Sequence, residues 1–315
     1  MELSIVIPAY NEAAILHELY QRLTNEIKPL SVDYEILLVN DGSTDDTLSI
    51  LRALRQQDSR VNYLSLSRNF GHQPALFAGL SAARGEVVVM MDADLQDDPT
   101  AVPILYRKLL DGYDVVYATR AKRHETVFRR LSMWLFYRIF RLTASLPFPL
   151  DAGIFSAMRR HVVDAVLAIK EDNKFIAGLR YWVGFSQIGI PFERPGRYDN
   201  QSRVGFWRLA RLALNAIFGF SYRPLRIMMG IGLITFALSL AGVCWVLAKK
   251  YLLSDAIPGW SSILIAIFFL GGLQLLSTGF VGEYVLRISD NVRRRPYYIL
   301  NPSQSDPYPV NRQSP

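Results

Sequence analysis

Asp92, Asp94, Asp97 and Asp98 fall within seven positions, directly after the uncharged run Val87-Val88-Val89-Met90-Met91. Five apolar residues in a row read as a buried strand, so the acids crowd where that strand emerges. Carboxylates this close repel one another unless something positive sits among them. A divalent cation carrying a phosphate-rich ligand answers that need, because hard cations bind carboxylate and phosphate oxygens together. The plainer reading is a solvated acidic turn. Spacing alone does not separate the two, and the surrounding elements decide.

Those elements alternate. Leu3-Ser4-Ile5-Val6-Ile7-Pro8 reads as a strand ended by proline, followed by a loop at Ala9–Glu12 and a helix from Asn11 or Glu12 to about Ile27. Tyr34–Val39 is a second strand, ending at Asn40-Asp41-Gly42-Ser43, and Ser43 or Thr44 caps the next helix. Val61–Leu66 is a third, followed by the loop Asn69-Phe70-Gly71-His72 and a helix over Gln73–Ala83. After the strand at Val87 come a helix carrying Val102, Leu105 and Leu109 and a strand at Asp114–Ala118. Repeated strand–helix alternation predicts an α/β domain with a mostly parallel sheet. Ligands of such sheets bind at the strands' carboxyl ends. Pro8-Tyr10-Glu12, Asn40–Ser43 and Asp92-Asp94 all lie there. No Gly-x-Gly-x-x-Gly occurs, which argues against dinucleotide binding of the usual kind.

The remainder of the chain has a different character. Ile227–Ala248 and Ala256–Gly282 hold 22 and 27 residues without a charge, each longer than the roughly 20 needed to cross a bilayer. Transmembrane helices are expected over 227–248 and 257–282, against the alternative of a buried hairpin. The net charge is +7. Beside membrane spans, that excess reads as attraction to anionic lipid, not nucleic acid. The one cysteine, Cys244, lies in the first span, so there is neither a disulfide framework nor a Cys/His metal site. No signal peptide is visible before the first strand.

Two segments mix arginine with large apolar residues. Arg120–Arg141 carries seven Lys/Arg against Glu125 alone, interleaved with Trp134, Phe136, Tyr137 and Phe140. A basic amphipathic, membrane-surface helix is expected near 125–142. A juxtamembrane helix is expected over 206–226. Eight arginines flank the outer ends of the spans (Arg208, Arg211, Arg223, Arg226, Arg287, Arg293, Arg294, Arg295), against Lys249 and Lys250 between them. That bias places both ends, the domain at 1–205 and the tail at 283–315, in the cytoplasm at the inner membrane. The tail beyond Pro296, rich in Pro, Ser, Asn and Gln, reads as disordered.

Taken together these residues resemble the family-2, GT-A type glycosyltransferases, in the branch that acts on polyprenyl phosphates. That branch includes dolichol-phosphate mannose synthase and the bacterial GtrB and ArnC types, with the GtrB type most similar. The motifs are Ile7–Glu12, Val39–Asp45, Ser67–Gln73, Asp92–Pro99 and Phe220–Arg226, followed by the two spans. The resemblance implies a GT-A (Rossmann-like) domain that transfers a sugar, first of all glucose, from a UDP-sugar to polyprenyl (undecaprenyl) phosphate. It implies that Pro8, Tyr10, Glu12 and Asp41 hold the uridine, and that Asp92 lies near ribose and diphosphate. Asp92, Asp94 and Gln96 would be the ligand set for Mg²⁺ or Mn²⁺. Arg120, Lys122, Arg123 and Arg203 would meet phosphates or steer the anionic acceptor. The family further suggests a homo-oligomer, a tetramer. Glycines such as Gly230, Gly232, Gly271 and Gly272 would let spans approach closely.

One position departs from the pattern. Where GtrB-type chains read Asp-x-Gly-Asp-Phe, this one reads Asp151-Ala152-Gly153-Ile154-Phe155. The first acid stays, so Asp151 and Asp94 are the catalytic candidates. The second, favoured in the family, is isoleucine. That leaves a non-catalytic nucleotide-sugar-binding scaffold as an alternative. A processive polysaccharide synthase has less support, since Gly178-Leu179-Arg180-Tyr181-Trp182 lacks the Gln-x-x-Arg-Trp pattern.

Overall fold

The computed structural model describes residues 1–120, 152–170, 174–192, 259–293 and 295–306, with scattered positions between 230 and 245. Two units separate: Met1–Glu125, Phe148–Val204 and Arg295–Pro315 form one, Thr126–Pro147 and Gly205–Arg294 the other.

The first unit is built on a seven-stranded sheet in the order β3-β2-β1-β4-β6-β5-β7. Its strands are β1 (Leu3–Ala9), β2 (Tyr34–Asn40), β3 (Val61–Ser65), β4 (Val87–Met90), β5 (Val115–Arg120), β6 (Ala152–Arg159) and β7 (Gln187–Phe192). β1 pairs in parallel with β2 and β4, and β2 with β3. Every residue of these four strands is buried. Continuous apolar runs, not alternating ones, are what a sheet covered on both faces requires. The expected mostly parallel sheet is therefore present, with one reversal: β6 runs antiparallel to both β4 and β5.

Helices cover the sheet through stripes of regular spacing. α1 (Leu16–Ile27) buries Leu16, Leu19, Leu23 and Ile27, and α4 (Ala101–Leu110) buries Val102, Leu105 and Leu109. α2 is Thr47–Gln57, and α5 (Arg160–Leu167) and α6 (Ile176–Trp182) follow β6. α3 (His72–Ala82) is apolar nearly all round. A Cβ on its Gly79 would stand 2.3 Å from Val6 Cγ1, so glycine lets this helix lie close on β1. That close approach carries the helix's first residue, His72, to the strand ends.

α1 begins later than the sequence predicts. Asn11 adopts φ 55° and accepts a 2.9 Å hydrogen bond from Thr44 N–H, which holds residues 11–15 in a loop. α2 likewise begins at Thr47, whose N–H donates to Asp45 Oδ1.

Asp58 joins three elements. It accepts from Tyr20 Oη of α1 at 2.9 Å and from Arg60 Nε and Nη2 at the entry to β3, both at 2.9 Å. The Arg60 hydrogen bonds, outweighing burial, pull its carboxyl down to about 2. A depressed carboxyl contributes stability that is present above the unfolded value and lost as pH falls. The expected loss lies between about pH 4 and pH 2 and amounts to about 1–2 kcal/mol, discounted for the partly exposed Arg60. In Asp58→Asn the melting temperature should be lower at pH 7 and should lose that acid-dependent component, as thermal unfolding across pH will show.

The tail corrects an expectation. Residues beyond Pro296 are not disordered as far as Asp306: they extend the sheet at its β3 edge. Ser67 N–H donates to Ile299 O and Asn301 N–H to Ser65 O, each at 2.8 Å, around an antiparallel Leu66–Leu300 bridge. Tyr297 meets Phe77 of α3 edge-on, and its hydroxyl donates to Lys174 O at 3.2 Å.

In the second unit, α7 (Trp260–Arg293) is a single helix of 34 residues. Its stretch Phe269–Leu286 is long and apolar enough to cross a membrane, and none of that stretch is buried. Among the described residues it is the one such helix, and it overlaps the span expected at 257–282. Most of the span expected at 227–248, and the amphipathic segments at 125–142 and 206–226, lie outside the described residues.

Candidate active site

Four loops leave the carboxyl ends of β1 to β4, and each is tied to another by a side chain. After β1, Asn11 N–H donates to Ser43 Oγ and Glu12 N–H to Thr47 Oγ1, both at 3.0 Å, in the loop and helix after β2. From the β2 loop, Asp41 accepts from Phe70 N–H at 2.8 Å and Gly71 N–H at 2.9 Å, in the loop after β3. From there His72 places Nε2 3.3 Å from Asp92 Oδ1 in the loop after β4. The three polar constellations read from the sequence therefore share one rim.

Gly42 is where two of these loops pass closest. Its φ is +65°, and a Cβ would lie 2.4 Å from the Arg68 carbonyl carbon and 2.5 Å from Asn69 N. Both atoms are backbone and cannot step aside. Gly42→Ala combines a left-handed φ with that clash and should cost about 2–4 kcal/mol. Thermal unfolding checks this.

The four acids divide into two pairs. Asp97 is 1% exposed and accepts from Asp92 N–H at 3.0 Å, closing the turn from inside. Asp98 accepts from Thr100 N–H at 3.0 Å at the start of α4. Asp97 is thus buried and Asp98 stands at an exposed helix start, while Asp92 and Asp94, two of the three expected ligands, are partly exposed at the rim. Asp94 Oδ1 accepts from Gln96 N–H at 3.2 Å. Between them Leu95 takes φ 57°, a conformation a leucine rarely adopts. Strain of this kind is held where a surrounding network over-determines the loop, as Asp97 and Asp94 do here.

Electrostatics at the rim follow burial. The Asp41 carboxyl is 3% exposed, and desolvation raises its pKa despite the two amide donors. Burial lowers the His72 pKa, opposed by Asp41, Asp94 and Asp97.

Among the described residues no group of three or more His, Cys, Asp or Glu side chains is arranged to hold a metal. The donors at Asp92 and Asp94 still fit a hard cation, because Mg²⁺ is commonly held by one or two carboxylates and takes its other oxygens from substrate phosphates and water. An all-oxygen set also suits Mn²⁺ better than zinc.

Of the other expected site residues, Pro8 is buried in β1, Tyr10 is 40% exposed just beyond it, and Glu12 is half-buried. Arg120 ends β5. Asp151, Lys122, Arg123 and Arg203 lie outside the described residues. Sequence reasoning assigned no role to His72 or Asp97. His72 stood inside a quoted motif, Ser67–Gln73. Asp97 could not be told from its three neighbours by residue type.

The fold is a mostly parallel α/β sheet whose acid-bearing rim unites the loops of four strands. Residues 4–167 match the family described as "Glycosyl transferase family 2". The chain belongs to that family of sugar-transferring enzymes, with its GT-A type fold, as the sequence motifs led us to expect. An uncharacterized glycosyltransferase of Synechocystis is 41% identical over 96% of this chain and 95% of its own length. Glycosyltransferase YkcC of Bacillus subtilis is 38% identical, covering 96% of this chain and 94% of its own. The SfII prophage-derived bactoprenol glucosyl transferase of Shigella flexneri is 37% identical, covering 96% and 98%.

Proposed function

We propose that this chain transfers glucose from UDP-glucose to a polyprenyl phosphate at the cytoplasmic face of the membrane, with inversion at C1. The observation that carries this reading is the end-to-end likeness to the Shigella bactoprenol glucosyl transferase, 37% identity over nearly the whole of both chains. The united rim supports it, as does the exposed apolar helix α7.

In this reading Pro8, Tyr10, Glu12 and Asp41 form the uridine end of the site. Asp41 does so with both oxygens already holding the Phe70 and Gly71 amides, so it shapes the wall against which the base lies. Asp92 and Asp94, with Gln96 beside them, hold Mg²⁺ or Mn²⁺. When bound, the cation supplies Lewis-acid stabilisation of the diphosphate leaving group. Arg120, Lys122, Arg123 and Arg203 attract the acceptor phosphate. An acceptor oxygen donates an electron pair to form a new bond to C1 as the C1–O bond to UDP breaks, and the pair of the broken bond leaves on the UDP oxygen. The acceptor is a phosphate monoester with a second pKa near ~6, so its oxygen is largely ionised at neutral pH. A general base is then less needed than for a sugar hydroxyl, which lets the reaction tolerate Ile154, with Asp151 left to orient the acceptor. Two spans, 227–248 and α7, anchor the enzyme, and the glycines within them suit a homo-oligomer, a tetramer in the family's manner.

Ile154 favours a second reading, a nucleotide-sugar-binding scaffold without turnover. One experiment separates the two. Purified protein in lipid is given radiolabelled UDP-glucose, undecaprenyl phosphate and Mn²⁺, with other UDP-sugars in parallel. Labelled lipid is the expected product. Binding of UDP with Mn²⁺ but no label from any donor would establish the scaffold instead.

A further inference from the structure

We propose that Arg180 is a positioning residue for this reaction, a buried cation that fixes the bulged start of β6, the edge that carries Gly153 and Ile154. The inference rests on the transferase reading above but concerns a residue outside the rim network.

Arg180 lies on α6 and is 1% exposed, among the most completely buried large side chains of the described residues. Its Nη1 donates to Gly153 O at 3.3 Å, and its guanidinium carbon stands 4.7 Å from the centre of the Tyr117 ring. Its Nε is buried without a hydrogen-bond partner. Burial lowers its pKa to about 10, so it stays charged at neutral pH.

Such a group is costly. Replacing buried charge by an apolar side chain of similar volume is often neutral or stabilising. A guanidinium held mainly by one carbonyl and one ring face contributes little to the fold that a methionine could not. Its location indicates what it does. β5 and β6 pair Tyr117 with Ser156 and Thr119 with Ala152. Gly153, Ile154 and Phe155 thus oppose Ala118 alone. This is a β-bulge, a device that re-aims side chains at a sheet rim. Arg180 grips it from both sides: Gly153 is inside the bulge, and Tyr117 is the last regular pair before it.

The bulge adjoins the acids. β6 pairs Ser156 with Met90, the last residue of β4, in antiparallel register. That ladder ends at this pair, so the bulge follows directly on the pairing with the strand that leads into Asp92 and Asp94. The Gly153 carbonyl is therefore where Arg180 pins the bulged start of β6, on the strand that neighbours β4 and its acid-bearing loop.

The test is Arg180→Met and Arg180→Lys in the full-length protein in lipid. If Arg180 positions the edge, Arg180→Met lowers kcat by about tenfold to a hundredfold, the scale expected for misplacing reacting groups by about 1 Å. Its melting temperature holds or rises, and its affinity for UDP with Mn²⁺ stays within about twofold, because the uridine end is untouched. Arg180→Lys, which keeps the charge and one donor, recovers part of kcat. Hydrogen exchange supplies a readout independent of turnover: the peptide covering 152–158 exchanges faster in Arg180→Met, while those covering β1 and β2 do not change. Unchanged exchange at 152–158 overturns the proposal, as does unchanged kcat or a fall in melting temperature that parallels the fall in kcat. If the parent protein makes no labelled lipid, the transferase reading fails on its own, and the exchange measurement still decides the role of Arg180.

Discussion

Asp94→Asn is expected to lower the rate of lipid glucosylation by about 10²- to 10³-fold while leaving the fold intact. The substitution is nearly isosteric. Its amide oxygen can still accept from Gln96 N–H, the bond that Asp94 Oδ1 makes at 3.2 Å, so the turn around Leu95 is retained. What it removes is one of the two carboxylate charges, those of Asp92 and Asp94, that the proposed cation would need at the rim. Loss of charge that stabilises a departing diphosphate costs on the order of 3–4 kcal/mol of barrier, which gives the stated range. Calorimetry provides the second readout: UDP should bind the parent more tightly with Mn²⁺ than without, and that increment should vanish in Asp94→Asn. Asp98→Asn is the matched control. It removes an equal charge four residues away, at an exposed helix start, and its rate should stay within about twofold. Equal losses in the two variants would mean that the acids act as a diffuse negative patch and not as ligands.

Why Asp94 and Asp98 differ is not written in their residue types, and this marks how far the sequence could be read. β1 to β4 were legible almost to the residue, because a parallel strand buried on both faces is mostly apolar along its length, with only a few buried polar residues such as Glu35, and stops where the loop begins. That their loops leave at one rim followed from that. The ties between loops did not. Asn11 looked like the start of a helix and instead adopts a left-handed backbone, because its partner, Thr44, is 33 residues away. His72 reaches Asp92 only because Gly79 lets α3 settle onto β1. β6 and β7 carry weaker signals. β6 is reversed and bulged, and β7 holds Gly189 and Pro191 in a half-buried edge strand, where proline is tolerated. Arg180 was quoted only as part of a failed motif match. Its isolation in the interior is a property of packing alone.

The tail shows the same limit and yields the second large effect. Composition predicted disorder beyond Pro296 because so few side chains there can bury. Its order arises mainly from main-chain pairing, to which composition is blind. Removing everything after Pro296 should therefore destabilise the catalytic unit by about 3–5 kcal/mol, from several backbone and side-chain hydrogen bonds at about 1 kcal/mol each plus the loss of packing. The bonds include Ser67 N–H to Ile299 O, Asn301 N–H to Ser65 O, Ser65 N–H to Ser305 Oγ at 3.0 Å and Asp306 N–H to Tyr63 O at 3.2 Å. The Arg55–Asp306 ion pair is lost with them. The melting temperature should fall by about 10 °C. It should also become dependent on protein concentration, since β3 would be left as an open, fully buried-type strand edge able to pair with another chain. Asn301→Pro isolates the main-chain component: it deletes one donor of the ladder and leaves Tyr297 on Phe77, and should cost about 1–2 kcal/mol. A truncated protein that melts with the parent, at one temperature over a hundredfold range of concentration, would show that β3 needs no cover. The edge would then be protected by its own brevity, five residues, and the segment from Tyr297 to Asp306 would be a passenger on the sheet.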